Sequence, residues 1–235
     1  QVFPLSKGSL ESGTANQNYS TRFDYGLTKK TMLSGFFSFS DDPLYKKIIG
    51  VEKQPANLWL NYGASLKWKV FDSPKYTISL DNSFEIWNVK SGGCNGIGCT
   101  SESSNIFDKS LKEFQKNNFI GSFALPISFK FKENNFVSFV PKISFLPSMQ
   151  KRNDIEGKFY GTNYGIGFGF SRHWDKKFKT FSSIYIPIGD SKNSFNEEIK
   201  FEKNIIYSTG FNYAFDSKTA FEAYISNSFG GTPAT

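Results

Sequence analysis

Among the 235 residues there are two cysteines, one histidine and three arginines, Arg22, Arg152 and Arg172. Each scarcity removes a class of function. One imidazole and two thiols fall short of the His/Cys ligand sets from which zinc centres are built, and no metal or other cofactor is expected. A single histidine, His173, leaves little for nucleophile-base chemistry. No stretch approaches the roughly 20 consecutive apolar residues of a membrane-spanning helix, which excludes a helical membrane protein. Helical periodicity is equally scarce, the best case being the few residues from Phe107 to Phe114. The chain also lacks a signal peptide and an initiator Met, so a mature form or an excised segment is expected.

The charge is unbalanced but dispersed. Lys and Arg number 28 against 21 Asp and Glu, a formal +7. The lysines are scattered through turns, loops and alternate positions, never more than two in a row, with no basic helix or contiguous patch of the kind a nucleic-acid footprint needs. Nucleic acid is therefore not an expected partner.

What is abundant is aromatic. Phe and Tyr number 27 and 11, aromatics make up 18% of the chain, and hydrophobic residues as a whole only 38%. Mean hydropathy is −0.40. Phe, Lys, Asn, Ile and Ser are all favoured by AT-rich coding, so the pattern has to carry the reading rather than the composition.

That pattern is strict alternation. From Leu58 to Val70 every second residue is apolar: Leu58, Leu60, Tyr62, Ala64, Leu66, Trp68 and Val70. Between them lie Trp59, Asn61, Gly63, Ser65, Lys67 and Lys69. Successive side chains of a strand point to opposite sides, so one face is greasy and the other mainly polar. The alternation resumes after Asp72-Ser73-Pro74 and recurs to the end of the chain. It predicts ten strands, at about 19–28, 31–41, 57–71, 75–90, 119–132, 135–149, 158–172, 178–188, 198–215 and 219–229. Many exceed the five or six residues usual in soluble proteins and match the roughly 9 to 11 that cross a bilayer at a tilt.

The connections alternate short and long. Lys29-Lys30, Asp72-Ser73-Pro74, Glu133-Asn134, His173 to Lys177 and Asp216-Ser217-Lys218 are short, whereas 42–56, 91–118, 150–157 and 189–197 are long. Outer-membrane barrels show this asymmetry, with short periplasmic turns and longer external loops. Aromatics such as Trp68, Phe71, Phe131, Phe170 and Trp174 gather beside the short turns, where an interfacial girdle belongs. The expected fold is an all-β, antiparallel up-and-down transmembrane barrel forming a single domain over 1–235. With both ends then on the external side, a parent barrel of at least twelve strands is expected, this chain lacking the closing ones.

Few residues invite a sharper chemical reading. Cys94 and Cys99 bracket Asn-Gly-Ile-Gly in the longest loop and are expected to form a disulfide, in preference to a metal or redox pair. His173 beside Trp174 sits at the short-turn end, away from where a Ser-His lipase of the outer leaflet would need it, and reads as an interfacial turn residue. Gly161, Gly165, Gly167 and Gly169 repeat with period two, without the strand-turn-helix context of a phosphate loop. They fit a strand that bends or makes room on its inner side, or seats an inward-folding loop.

The polar face holds what functional content there is. Its expected pore-lining residues are Arg22, Asp24, Asn61, Lys67, Lys69, Asp81, Glu85, Lys130, Lys142, Asn163, Asn212 and Glu222, interspersed with Ser65, Thr77, Ser79, Ser83, Ser122, Ser128, Ser138, Ser144 and Ser208.

The segments Tyr19-Ser-Thr-Arg-Phe-Asp-Tyr-Gly-Leu-Thr28, Leu33-Ser-Gly-Phe36 and Asp41-Asp-Pro-Leu-Tyr45, with the ending Ser226 to Thr235, resemble bacterial, in particular cyanobacterial, outer-membrane barrel proteins. The resemblance covers about 30 residues. It implies an outer-membrane location and names no catalytic or ligand site. The expected role is a passive, porin-like channel for small solutes, non-enzymatic, with membrane lipid around it and homo-oligomers possible. The alternatives are a non-conducting structural or surface-recognition barrel working through loops 42–56 and 91–118, and a soluble β-sandwich binding protein.

Overall fold

The computed structural model describes residues 18–41, 57–91, 115–132, 135–148, 160–191, 193–195, 201–216 and 219–227. The Cys94–Cys99 pair, most of the long loops and the tail 230–235 lie outside the described residues. Alternating aromatic and small polar residues cannot lay an apolar stripe along a helix, and the described residues fold into strands throughout.

The strands are β1 (Asn18–Gly26), β2 (Thr31–Asp41), β3 (Asn57–Asp72), β4 (Tyr76–Ser91), β5 (Gln115–Ala124), β6 (Ile127–Phe131), β7 (Asn135–Ser148), β8 (Tyr160–His173), β9 (Phe178–Ile188), β10 (Ser194–Phe195), β11 (Phe201–Glu202), β12 (Ile206–Ala214) and β13 (Ala220–Ser226). All but β10 and β11 join one antiparallel sheet in the order β1-β2-β3-β4-β5-β7-β8-β9-β12-β13, with β6 continuing β5 between β4 and β7. Along this sheet the strands follow one another in chain order, with β6 set between β4 and β7 and β9 pairing with β12, which is the up-and-down meander that alternation with short turns dictates. Within the described residues β1 pairs with β2 and β13 with β12.

Two predicted strands need correction. The one expected over 119–132 is divided into β5 and β6 at Leu125-Pro126. Across the ladder from this break lies Pro141, and neither proline can donate a ladder hydrogen bond. Their carbonyls stay in use: Ser79 N donates to Pro126 O at 2.9 Å and Leu125 N to Pro141 O at 3.0 Å. The strand expected over 198–215 is shorter, because Phe201–Glu202 pairs instead with Ser194–Phe195 in a separate two-stranded ladder. The long β3–β4 hairpin forms as expected, with a bulge between Lys69 and Phe71 that leaves Val70 and Phe71 both exposed.

The short turns are closed by their own side chains. Lys30 N donates to Thr28 Oγ1 and Tyr76 N to Ser73 Oγ, each at 3.1 Å. Asp175 Oδ1 accepts from Lys177 N and Phe178 N at 2.6 and 2.7 Å, and Asp216 Oδ1 accepts from Thr219 N at 2.7 Å. An oxygen two or three bonds from its own backbone can take the amides that a tight reversal leaves open, which is why Thr, Ser and Asp stand there.

Burial is inverted relative to a soluble protein. The buried residues include Ser34, Ser38, Asn61, Ser65, Ser83, Glu85, Asn118, Ser122, Ser144 and Asn163, whereas among the described residues the large buried hydrophobics are Phe36, Trp87, Ile120 and Leu146. On the opposite face Phe23, Phe84, Phe119, Tyr164, Tyr207 and Ile225 are all more than half exposed. A compact two-layer body would place those rings inside, and here they form the outside. The exposed face carries few polar breaks, and two of them satisfy one another: the hydroxyls of Ser182 and Thr209 meet at 2.8 Å.

Candidate functional site

In an antiparallel sheet directly opposed residues share a face, so the register converts the polar face into rows. One row runs Asp24, Ser34, Ser65, Ser83, Ser122, Ser144, Asn163 across β1, β2, β3, β4, β5, β7 and β8. It is a belt of small hydroxyls with an acid at one end and an amide at the other. Ser34 Oγ donates to Asp24, and the hydroxyls of Ser83 and Ser122 hydrogen-bond across their strands.

A second belt, nearer the short turns where both cross β4, β7 and β8, runs Thr77, Ser128, Ser138, Gly169, Ser183, Ser208, Ser226 across β4, β6, β7, β8, β9, β12 and β13. Ser128 meets Ser138 at 2.9 Å and Ser183 meets Ser208 at 2.7 Å. Hydroxyls can donate and accept at once, so neighbours around a belt satisfy one another while keeping acceptor capacity toward the interior.

Charges sit between and beside the belts. The row adjacent to the first belt contains Met32, Lys67, Asp81, Ala124, Lys142 and Gly165. On the first belt's other side lie Arg22, Phe36, Gly63, Glu85 and Ile120. Three cations, Arg22, Lys67 and Lys142, therefore lie among three anions, Asp24, Asp81 and Glu85. Arg22 Nε pairs with Asp24 Oδ1 at 2.7 Å, and Glu85 Oε2 accepts the indole N–H of Trp87 at 2.9 Å. A balanced set of opposite charges limits the desolvation cost that isolated charges would impose on an interior.

The expected pore-lining residues all fall on this one face by register, but they are not equally enclosed. Glu85 is 0% exposed, and Asn61 and Asn163 are buried. Lys67, Lys69, Asp81, Lys142 and Asn212 are half-buried, while Arg22, Asp24, Lys130 and Glu222 are exposed.

The inner face is less uniformly polar than the alternation suggested. Trp87 at 0% and Ile120 at 1% exposure are enclosed there, with Phe36 and Leu146. The signal was present as apolar doublets: in Ile86-Trp87 and Phe119-Ile120 the two neighbours must point to opposite faces. Aromatic rings also occupy the space over inner glycines. A Cβ at Gly63 would overlap the Phe36 ring and the backbone of Phe84 and Glu85, and one at Gly165 would overlap the Tyr185 ring. The period-two glycines of β8 make room on the inner side, and at Gly165 the occupant is a cross-strand tyrosine. Lys142 Nζ stands 5.4 Å from the centre of that same ring.

Toward β13 the wall opens into a cleft of about 450 Å³ bordered by Phe181, Ser183, Tyr185, Ser208, Glu222, Tyr224 and Ser226. His173 lies at the end of β8, its ring edge-on to Phe136 at 6.4 Å and its backbone N–H donating to Asn135 Oδ1. Among the described residues no group of three or more His, Cys, Asp or Glu side chains forms a metal-binding cluster.

No protein-family model and no curated protein matches the chain. Among solved structures it is similar to LpxR from Salmonella typhimurium, at 10% identity and a TM-score of 0.38, over 91% of this chain and 86% of that one. LpxR is an outer-membrane β-barrel and a lipid A deacylase. The expectation of a non-enzymatic protein is not kept, since this neighbour is an enzyme. A likeness of that degree assigns no activity and no site.

Proposed function

We propose that the chain is the wall of an outer-membrane β-barrel whose polar inner face passes small solutes. The observation that supports this reading is the inversion of burial, with serines, asparagines and Glu85 enclosed and Phe, Tyr, Leu and Ile rings and branches exposed. Only a surrounding apolar medium makes that arrangement favourable. Each exposed Phe or Leu left in water forgoes roughly 1.5–3 kcal/mol of burial. Strands rather than helices then carry the crossing, with backbone groups satisfied between neighbours.

The belts and the balanced charges suit a water-filled passage without strong preference for one sign. A second reading, a non-conducting barrel that acts structurally or through its loops, is favoured by the complete enclosure of Trp87 and Glu85. Enclosure at that level narrows or closes the passage. Planar-bilayer recording on the folded protein separates the two. Discrete single-channel steps are expected; a preparation that migrates as a heat-modifiable folded band yet gives no steps removes the channel reading and leaves the structural one.

A further inference from the structure

The short turns carry a charge pattern that neither the fold nor solute passage uses. Lys29 and Lys30, Lys75, Lys132, and Lys176 with Lys177 stand exposed in four successive short connections. Arg172 belongs with them. By register with Thr180 and Phe211 it lies on the outer, apolar face, one residue from the end of β8. Its guanidinium lies 3.8 Å from the centre of the Trp174 ring, and the Trp174 indole N–H is tied to Thr180 Oγ1 at 2.9 Å.

The described acids at this end are already engaged. Asp72 takes Lys69 Nζ at 2.9 Å, Asp175 takes two turn amides, and Asp216 takes another. The cations are thus left facing outward, directly beyond an aromatic band that includes Phe71 stacked on Tyr76 at 5.0 Å, and the Phe178, Phe211 and Phe221 series.

We propose that this rim is a binding collar for the phosphate groups of anionic phospholipids in the leaflet that meets the short turns, with Arg172 its most preorganised point. The inference rests on the membrane-spanning reading above. Charge complementarity and position identify the occupant: an apolar face ends at an aromatic band, and immediately past it stand cations that form no salt bridge among the described residues, Lys30 and Lys177 meeting the charges of Asp72 and Asp175 only at longer range. A guanidinium held flat against an indole keeps its N–H edge available for a phosphate oxygen while its plane stays packed. Lysines in the neighbouring turns add point charges that a mobile headgroup can reach.

The test is lipid selectivity of the folded protein in phosphatidylcholine vesicles, read by electron paramagnetic resonance of spin-labelled phosphatidylglycerol against spin-labelled phosphatidylcholine. The wild type should hold the anionic probe severalfold more strongly, and added salt should weaken the preference. Replacing the six lysines and Arg172 by Gln should bring the ratio close to one. Arg172→Gln alone should lower it, and Arg172→Lys should restore part of the loss. Inorganic phosphate should compete no better than sodium chloride at equal ionic strength. An inserted, heat-modifiable wild type without preference, a preference untouched by the substitutions, or strong competition by inorganic phosphate would overturn the collar alone. Probes left fully mobile by a chain that never enters the bilayer would overturn the membrane-spanning reading together with it.

Discussion

Asp175 shows how a single side chain fixes a reversal. Its carboxylate accepts the amides of Lys177 and Phe178, and these two hydrogen bonds hold its pKa below the usual 3.8. A depressed folded-state pKa means the ionised form is the one the fold favours. The stabilisation is therefore fully present above the ordinary carboxylate value and is lost as pH falls through it toward the folded value. Asp175→Ala should lower the urea midpoint at neutral pH, and the difference from wild type should shrink in acid. A difference that persists unchanged at low pH would show that the carboxylate's charge is not what closes the turn. The turn was legible from residue type alone, since Asp, Ser and Thr in short connections accept nearby amides. Trp87 and Ile120 were less legible, because alternation assigns a doublet to two faces without saying that the inner member will be sealed.

At the level of strands, pairing adds what a linear pattern cannot. The serines of the inner face could be read one by one. Their alignment into two belts depends on register, which turn lengths, the bulge at Val70 and the facing prolines set jointly. The split at Leu125-Pro126 was missed for the same reason: Pro126 alone would be tolerated, and its position opposite Pro141 appears only once β7 is in place. Cross-strand packing gives this level its own prediction. Gly63→Ala puts a Cβ against the Phe36 ring and the backbone of Phe84 and Glu85. It should cost about 1–3 kcal/mol by equilibrium unfolding in lipid, as overpacking typically does. Gly35→Ala, with nothing within 4 Å, should stay within about 0.5 kcal/mol of wild type. Equal effects would mean that the Phe36 ring and the β4 backbone do not constrain Gly63.

The molecule as a whole was the most legible part. Eight of the ten expected strands, the order of all of them and the sidedness of their residues follow from alternation and loop length, because a sheet between two media has to repeat the same in-out decision on every strand. What the pattern could not supply was activity. The inner wall mixes serines, amides and charges with Phe36, Trp87, Ile120 and Leu146, and among the described residues it holds no group of three or more His, Cys, Asp or Glu that could bind a metal.

The central claim, that alternate side chains meet hydrocarbon, is tested most directly by a nitroxide scan through residues 60–69 of the folded protein in lipid vesicles, with Cys94 and Cys99 replaced by serine. Collision with oxygen, which concentrates in the hydrocarbon, should be high at 60, 62, 64, 66 and 68 and low at 61, 63, 65, 67 and 69. A profile without a two-residue period, or one with its maxima at Asn61, Ser65 and Lys67, would contradict the account.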